Sequence, residues 1–477
     1  MGFWLLVAVW VLGWGCIPKL LLLNKRPTAT LAWLWAIILF PVIGPALFLM
    51  IGTERVKRRR MRRRQAFRGK EHRQTGRAKT AKSSDLLLAE KELGVDGQAL
   101  LRGLAHITHL PVATVSTIDV LRKAPAFYSA LQEDIRQARH SVEIETYIWR
   151  NDEVGQQFLA LLVETAKRGV AVRVLIDELG SFWIKERFFD PLIAAGGAFS
   201  WCHTLSPLRN RYSFNLRNHR KLQVIDGRIG YVGGMNIGRE YLGLDPIDGD
   251  WSDVQVRVEG TVVEILSQIF AEDWFFATGR DEGQSTPHLQ HAHKEAAVVQ
   301  VLRGGPDEED QPMLRSVLAI VQGAKKRLWF ATGYFVPGEV MQTALQVAAA
   351  RGVDVRLLIS QKSEHPYLVK AGRSYYDALL RQGVKIFEYS RGIEHSKYIV
   401  IDEEWITVGS TNLDERSLRL NFELSLLAHC RKTNRVLAQI FEKTVADAHE
   451  INRVAFARRP YWEKLAESAL RPLSPVL

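Results

Sequence analysis

Three cysteines in 477 residues (Cys16, Cys202 and Cys430), with no C-x-x-C pair among them, exclude a disulfide framework and a thiolate zinc site. Reduced thiols are expected, with Cys202 and Cys430 in or near the core. Charge of one sign spread over the fold is also lacking. The formal net charge is +12, from 64 Lys and Arg against 52 Asp and Glu. Residues 53 to 84 hold 14 of those basic side chains and two of the acidic ones, which leaves 50 against 50 elsewhere. The rest of the chain is therefore electrically balanced. That excludes the broad basic face with which a protein tracks a nucleic-acid backbone, so no nucleic-acid partner is expected. No basic residue precedes the first apolar run, which argues against a cleaved secretory signal.

Long apolar runs are present at the start. Phe3 to Leu23 is apolar apart from Lys19, and Ala29 to Ile51 is apolar with Pro41, Gly44 and Pro45 inside it. Each run has about 20 residues, the length that crosses roughly 30 Å of hydrocarbon. Residues 1–52 are read as a two-helix transmembrane hairpin, with a buried helical hairpin as the competing reading. The two prolines would kink the second span or make it re-entrant. Residues 53–84 form a basic juxtamembrane linker, whose charge puts the rest of the chain on the cytoplasmic side of the membrane. The same charge would attract anionic lipid; a nucleic-acid arm is the lesser alternative.

A repeat begins near residue 115. Val142–Ile148 is strand-like, Gln156–Arg168 is an amphipathic helix, and Val170–Ile176 is a continuous apolar strand. Leu328–Phe335, Glu339–Arg351 and Val353–Ile359 repeat that order. Arg168-Gly169-Val170 recurs as Arg351-Gly352-Val353, and Tyr147 as Tyr334. Strand–helix–strand order implies crossover units and a largely parallel sheet in each half. The fold class is α/β: two similar lobes related by a pseudo-two-fold. The first is placed at 85–285. The second, with a C-terminal tail, is placed at 286–477. The polar stretch Gly279–His293 marks the boundary.

The chemistry lies in a motif that occurs twice. His219, Lys221 and Asp226 form one H-x-K-x4-D; His395, Lys397 and Asp402 form the other. Gly233-Gly234-Met235-Asn236 comes after the first, and Gly409-Ser410-Thr411-Asn412 after the second. Strand alternation puts His and Lys of each copy on one face. Asp226 and Asp402 fall on the opposite face, better placed to brace backbone than to react. Two lysines and two asparagines would cradle the oxygens of a phosphodiester without a metal. One imidazole can attack phosphorus while the other protonates the leaving alcohol and later deprotonates the acceptor. Asp253 and Glu423, 34 and 28 residues beyond their histidines, are placed to orient the rings. Arg209, Arg211 and Arg217 could meet a second anionic head group, and Trp183, Phe188 and Phe189 could rim a lipid entrance.

The doubled motif resembles the phospholipase D superfamily. Similarity to its bacterial cardiolipin synthases runs nearly end to end. It takes in Tyr147-Ile148-Trp149, Gly333-Tyr334-Phe335-Val336-Pro337, Leu420-Asn421-Phe422-Glu423 and Arg459-Pro460-Tyr461-Trp462. The resemblance implies transfer of a phosphatidyl group from one phosphatidylglycerol to another, giving cardiolipin and glycerol. It further implies a phosphohistidine, no metal and no cofactor. On that basis His219 is the nucleophile and His395 the general acid and base, although the motifs alone allow the reverse. The D-G-x2-A-R signature of the metal-dependent, CDP-lipid route to cardiolipin is missing. Water or another alcohol as acceptor stays open, because the motifs hold phosphate and not acceptor. Acyl-chain preference and oligomeric state leave no mark in them.

Overall fold

The computed structural model describes residues 13–23, 27–49, 93–202, 217–244, 249–280, 297–308 and 310–474. They fall into two compact units, one made of residues 1–66 with 204–215 and a larger one holding the rest.

In the small unit the described helices are short: Ile17–Leu22, Pro27–Leu39 and Ile43–Leu47. Leu20, Ile37 and Phe48 form its buried cluster, and Trp33 meets Phe48 edge to face at 5.5 Å. Pro27–Leu39 has 13 residues, about 20 Å at 1.5 Å per residue, short of a bilayer core. It stops where Pro41 removes a donor and restrains Phe40. No helix among the described residues is long and apolar enough to cross a membrane. The expected spans extend over residues 1–12, 24–26 and 50–52, and the linker over 53–84, all outside the described residues.

The larger unit contains two sheets of one design. The seven-stranded sheet runs in the order Thr117–Arg122, Val254–Glu259, Ile229–Gly233, Leu222–Ile225, Ser141–Thr146, Ala171–Ile176, Ala198–Trp201. The nine-stranded sheet repeats that order with Ala297–Gly304, Glu423–His429, Trp405–Gly409, Lys397–Ile401, Arg327–Thr332, Asp354–Ser360 and Lys385–Tyr389. It adds one edge strand on each side. The expected largely parallel sheets are instead mixed. Only the last three strands of each set are parallel, joined through helices such as Glu153–Lys167. Each motif strand turns straight back into its neighbour, Leu222–Ile225 into Ile229–Gly233 and Lys397–Ile401 into Trp405–Gly409. Three residues cannot make the crossover that a parallel pair needs.

The division of the chain is also less simple than two consecutive segments. Helix Val95–Thr108 lies against helix Pro312–Gly323 and strand Ala297–Gly304. Strand Val112–Val115 pairs antiparallel with Ala297–Gly304. These early elements therefore serve the second sheet. The sheets share one apolar cluster, to which Val224, Val256, Leu266, Val301, Tyr398 and Leu426 all belong.

A buried ion pair ties the first motif to this shared core. Arg220 is fully buried and pairs with Asp273 on helix Val262–Thr278. It also donates to the carbonyl oxygens of Gly304 (3.1 Å) and Glu423 (3.4 Å) on the second sheet. Arg220→Met is expected to cost about 3–5 kcal/mol, because the Asp273 carboxylate stays buried without its guanidinium. Adding Asp273→Leu should recover most of that loss, as read by urea unfolding of the two variants.

Candidate active site

Each histidine is hung on backbone from the other lobe. The His219 amide donates to the Phe422 carbonyl (3.0 Å), and the Phe422 amide donates to the Arg217 carbonyl (2.9 Å). In the mirror arrangement the His395 amide donates to the Ser252 carbonyl (2.7 Å). There Gly392–Glu394 runs parallel to Asp250–Ser252. The residue after each of those partners is the acid. Consequently the pairs cross: His219 Nδ1 meets Glu423 at 3.1 Å, and His395 Nδ1 meets Asp253 at 2.7 Å. Spacing along the chain attaches each acid to the histidine of its own lobe; the fold exchanges them. With Nδ1 engaged, Nε2 is the ring nitrogen left for chemistry in both residues.

The Gly-rich stretches belong to the same seam. A Cβ on Gly233 would lie 2.5 Å from the Val254 carbonyl oxygen, and one on Gly409 would lie 2.4 Å from that of Leu424. Only glycine lets each strand approach the acid-bearing strand so closely. Ser410, next to Gly409, donates its hydroxyl to Glu423.

Lys221 and Lys397 are buried and each ammonium donates to the carbonyl of its own motif histidine, Lys221 at 2.8 Å. Lys221 also lies 5.2 Å from the centre of the Tyr147 ring. The two asparagines differ. Asn236 is spent on the fold: its Oδ1 accepts from the Ile148 amide (3.1 Å) and its Nδ2 donates to the Tyr241 hydroxyl (2.9 Å). Asn412 lines the central cavity, and its buried Oδ1 has no hydrogen-bond partner among the described residues. Asp226 and Asp402 are away from the reacting groups. Asp226 accepts from the amides of Arg139, His140 and Ser141, and Asp402 from those of Lys325, Lys326 and Arg327. Both take a left-handed backbone conformation (φ 52° and 49°), which Asp tolerates better than most residues. Their part is to clamp the start of the neighbouring strand, and they are not catalytic.

Both histidines open into one cavity of about 470 Å³. Its wall includes Tyr147 and Tyr334, whose rings meet those of His219 and His395 at 5.0 and 6.3 Å. Their matched places in the repeat were the available signal. Trp251, 5.3 Å from His395, and Glu364, His365, Asp414 and Arg416 are further wall residues. Nothing in the local pattern marked these. The aromatics expected at an entrance separate: Phe189 is fully buried and stacks on Phe199 at 4.1 Å, whereas Phe182 and Trp183 stand exposed just past the cavity residue Gly180. Arg209 and Arg211 lie outside the described residues.

Burial sets the protonation states. It holds His219 well below the usual imidazole value, with Lys221 adding to the effect. It lowers His395 to about 4, again with a neighbouring lysine, Lys397, acting in the same direction. Both rings are neutral at rest, with a lone pair on Nε2. Burial also raises Glu423 to about 7, against the pull of Lys221. Lys221 itself falls to about 7, chiefly through burial. An ammonium must be charged to clasp phosphate, and kcat/KM reports the free enzyme's groups. So kcat/KM is expected to fall above about pH 7, by roughly tenfold per unit, where an ordinary lysine keeps its charge to about pH 10. A kcat/KM profile flat from about pH 6 to 9 would contradict a Lys221 held that low.

Residues 131–274 and 317–445 match the family model described as "Cardiolipin synthase, PLD-like domain", one motif in each stretch. The chain belongs to the cardiolipin synthase family. Its relatives in that family span nearly its whole length. The cardiolipin synthase of Geobacillus kaustophilus is 35% identical over 461 residues, covering 95% of this chain and 90% of that one. That of Halalkalibacterium halodurans is 34% identical over 483 residues, covering 100% and 94%. Among solved structures, a phosphatidylserine synthase from Haemophilus influenzae overlays with a TM-score of 0.60. It is 16% identical and covers 80% of this chain and 100% of that one, which is likeness of fold alone.

Proposed function

We propose that this chain is a phosphatidyltransferase that converts two phosphatidylglycerols into cardiolipin and glycerol through a phosphohistidine. The observation that carries the reading is the pair of neutral, acid-backed imidazoles facing one cavity, each histidine with a buried lysine hydrogen-bonded to its carbonyl. As the anionic diester binds, His395 Nε2 takes up a proton from solvent; His219 Nε2 then attacks phosphorus, and the glycerol oxygen departs with that proton. The primary hydroxyl of a second phosphatidylglycerol then gives its proton to His395 and attacks phosphorus, which frees His219. Lys221, Lys397 and Asn412 take up the charge on the non-bridging oxygens. Environment supports this order of roles. Glu423, raised to about 7, is a weak counter-ion, so His219 stays neutral and nucleophilic. The 2.7 Å contact to Asp253 favours an imidazolium at His395 once the phosphate anion is bound.

The lipid comes to the site from a membrane to which the chain is tied by its apolar N-terminal segment. Trp35, Leu39, Phe40, Val42 and Ile43 are exposed there, as expected of side chains that meet lipid. Phe182 and Trp183 make the corresponding contact beside the cavity. The basic run over 53–84 supports lobes on the cytoplasmic side of a bacterial inner membrane, next to anionic head groups. A reporter fused after Leu477 and active only outside the cytoplasm would overturn that placement.

The deciding assay uses purified protein in mixed micelles with phosphatidylglycerol as sole lipid and chelator present, products tracked by mass. Cardiolipin plus glycerol is expected. Phosphatidic acid alone would make water the acceptor. Turnover only with a CDP-activated lipid and a metal ion would sink the mechanism.

A further inference from the structure

The lobes differ at corresponding places on the cavity wall. Arg217 stands two residues before His219, where the second lobe has Ile393; Arg416 stands four past Asn412, where the first lobe has Glu240. The doubled motif needs neither arginine for the chemistry at the first phosphorus. Both line the cavity, one from each lobe, and consecutive amides fix them. Asn421 N donates to the Arg416 carbonyl (3.0 Å), and Phe422 N to that of Arg217 (2.9 Å). Alternate residues of an extended segment share a face, so Arg217 lies on the side of His219, about 6.6 Å away along the chain.

Both arginines have partners in the wall: Arg217 donates a hydrogen bond to the Tyr147 hydroxyl and attracts Asp177, and Arg416 attracts Asp414. Asp177 accepts from the amides of Asn218, Leu179 and Gly180, and Asp414 caps Ser417. Burial, and then repulsion from Arg217, lower Arg416 from the usual guanidinium value. An anion between the two guanidiniums would relieve that repulsion, and the guanidinium fork fits phosphate oxygens. Cardiolipin holds two phosphates one glycerol apart. The histidines and lysines clasp one; the acceptor brings the other.

We propose that Arg217 and Arg416 form a second phosphate subsite that holds the phosphodiester of the acceptor phosphatidylglycerol while its hydroxyl meets the phosphorus at His219. This rests on the transferase reading above.

The test gives the full chain phosphatidylglycerol micelles with isotopically labelled glycerol. Both acceptors compete for one intermediate: labelled glycerol returns labelled phosphatidylglycerol, and phosphatidylglycerol gives cardiolipin. In Arg217→Gln and Arg416→Gln the ratio of cardiolipin to labelled phosphatidylglycerol should fall at least about tenfold. Lysine at either position should restore part of it. The labelled product also reports that each variant is folded, and the lysine variants supply the ratio if glutamine unfolds the chain. An unchanged ratio overturns the subsite, as does an equal loss of both products with an unchanged melt. A wild type that returns labelled phosphatidylglycerol and no cardiolipin overturns the transferase reading, and the subsite with it.

Discussion

His219→Ala and His395→Ala are each expected to lower cardiolipin formation by at least about 10⁴-fold, since in the proposed mechanism one removes the atom that bonds phosphorus and the other its proton carrier. The two losses are separable by the leaving group. Glycerol needs a proton to depart; a nitrophenolate does not. With a phosphatidyl nitrophenyl ester, His395→Ala is expected to release one equivalent of nitrophenol and to stop with the phosphatidyl group on His219. His219→Ala should release none. Mass analysis of the quenched protein reads the adduct directly. An adduct on His395 in His219→Ala would exchange the two roles and leave the rest of the site unaltered.

Glu423→Gln and Asp253→Asn are each expected to reduce kcat by about 10³- to 10⁴-fold, because an amide can hold the ring in the wrong tautomer and cannot balance the charge it acquires. The crossed contacts, His219 with Glu423 and His395 with Asp253, make these two losses different in kind. Glu423→Gln should block formation of the adduct from the nitrophenyl ester, since Glu423 is what presents His219. Asp253→Asn should allow the adduct and block its transfer to the acceptor, since Asp253 serves His395. Pairing within each lobe predicts the opposite assignment. The expected pattern is therefore a nitrophenol burst in Asp253→Asn and its absence in Glu423→Gln.

Those acids show where reading along the chain stops. Asp253 and Glu423 are recognisable as matching strand positions, and both do back a histidine. Which histidine depends on contacts such as His219 with Glu423, 204 residues apart. Two equivalent positions in a repeat carry no local mark of which copy faces which. The mixed sheets have a similar origin. Alternating helices and strands read as parallel crossovers, and that stronger pattern hides the three-residue hairpin turn after each motif strand. Val112–Val115 falls in the range assigned to the first lobe, and only its register against Ala297–Gly304 attaches it to the second sheet.

The reaction class was legible in the chain alone. Chemistry at phosphorus needs particular atoms at short spacing, and H-x-K on one strand face delivers them locally, as does the aspartate that clamps the next strand. The repeat was equally legible, since alternating faces and helical periodicity are properties of neighbouring residues. What two lobes make together came only from the folded molecule. Those features are the crossed acid–histidine pairs, the shared core under Arg220, the satisfied Asn236 against the open Asn412, and the placing of Arg217 and Arg416 on one cavity wall. Each arises from long-range packing, where burial shifts proton affinities and the seam between sheets selects partners that no local pattern encodes.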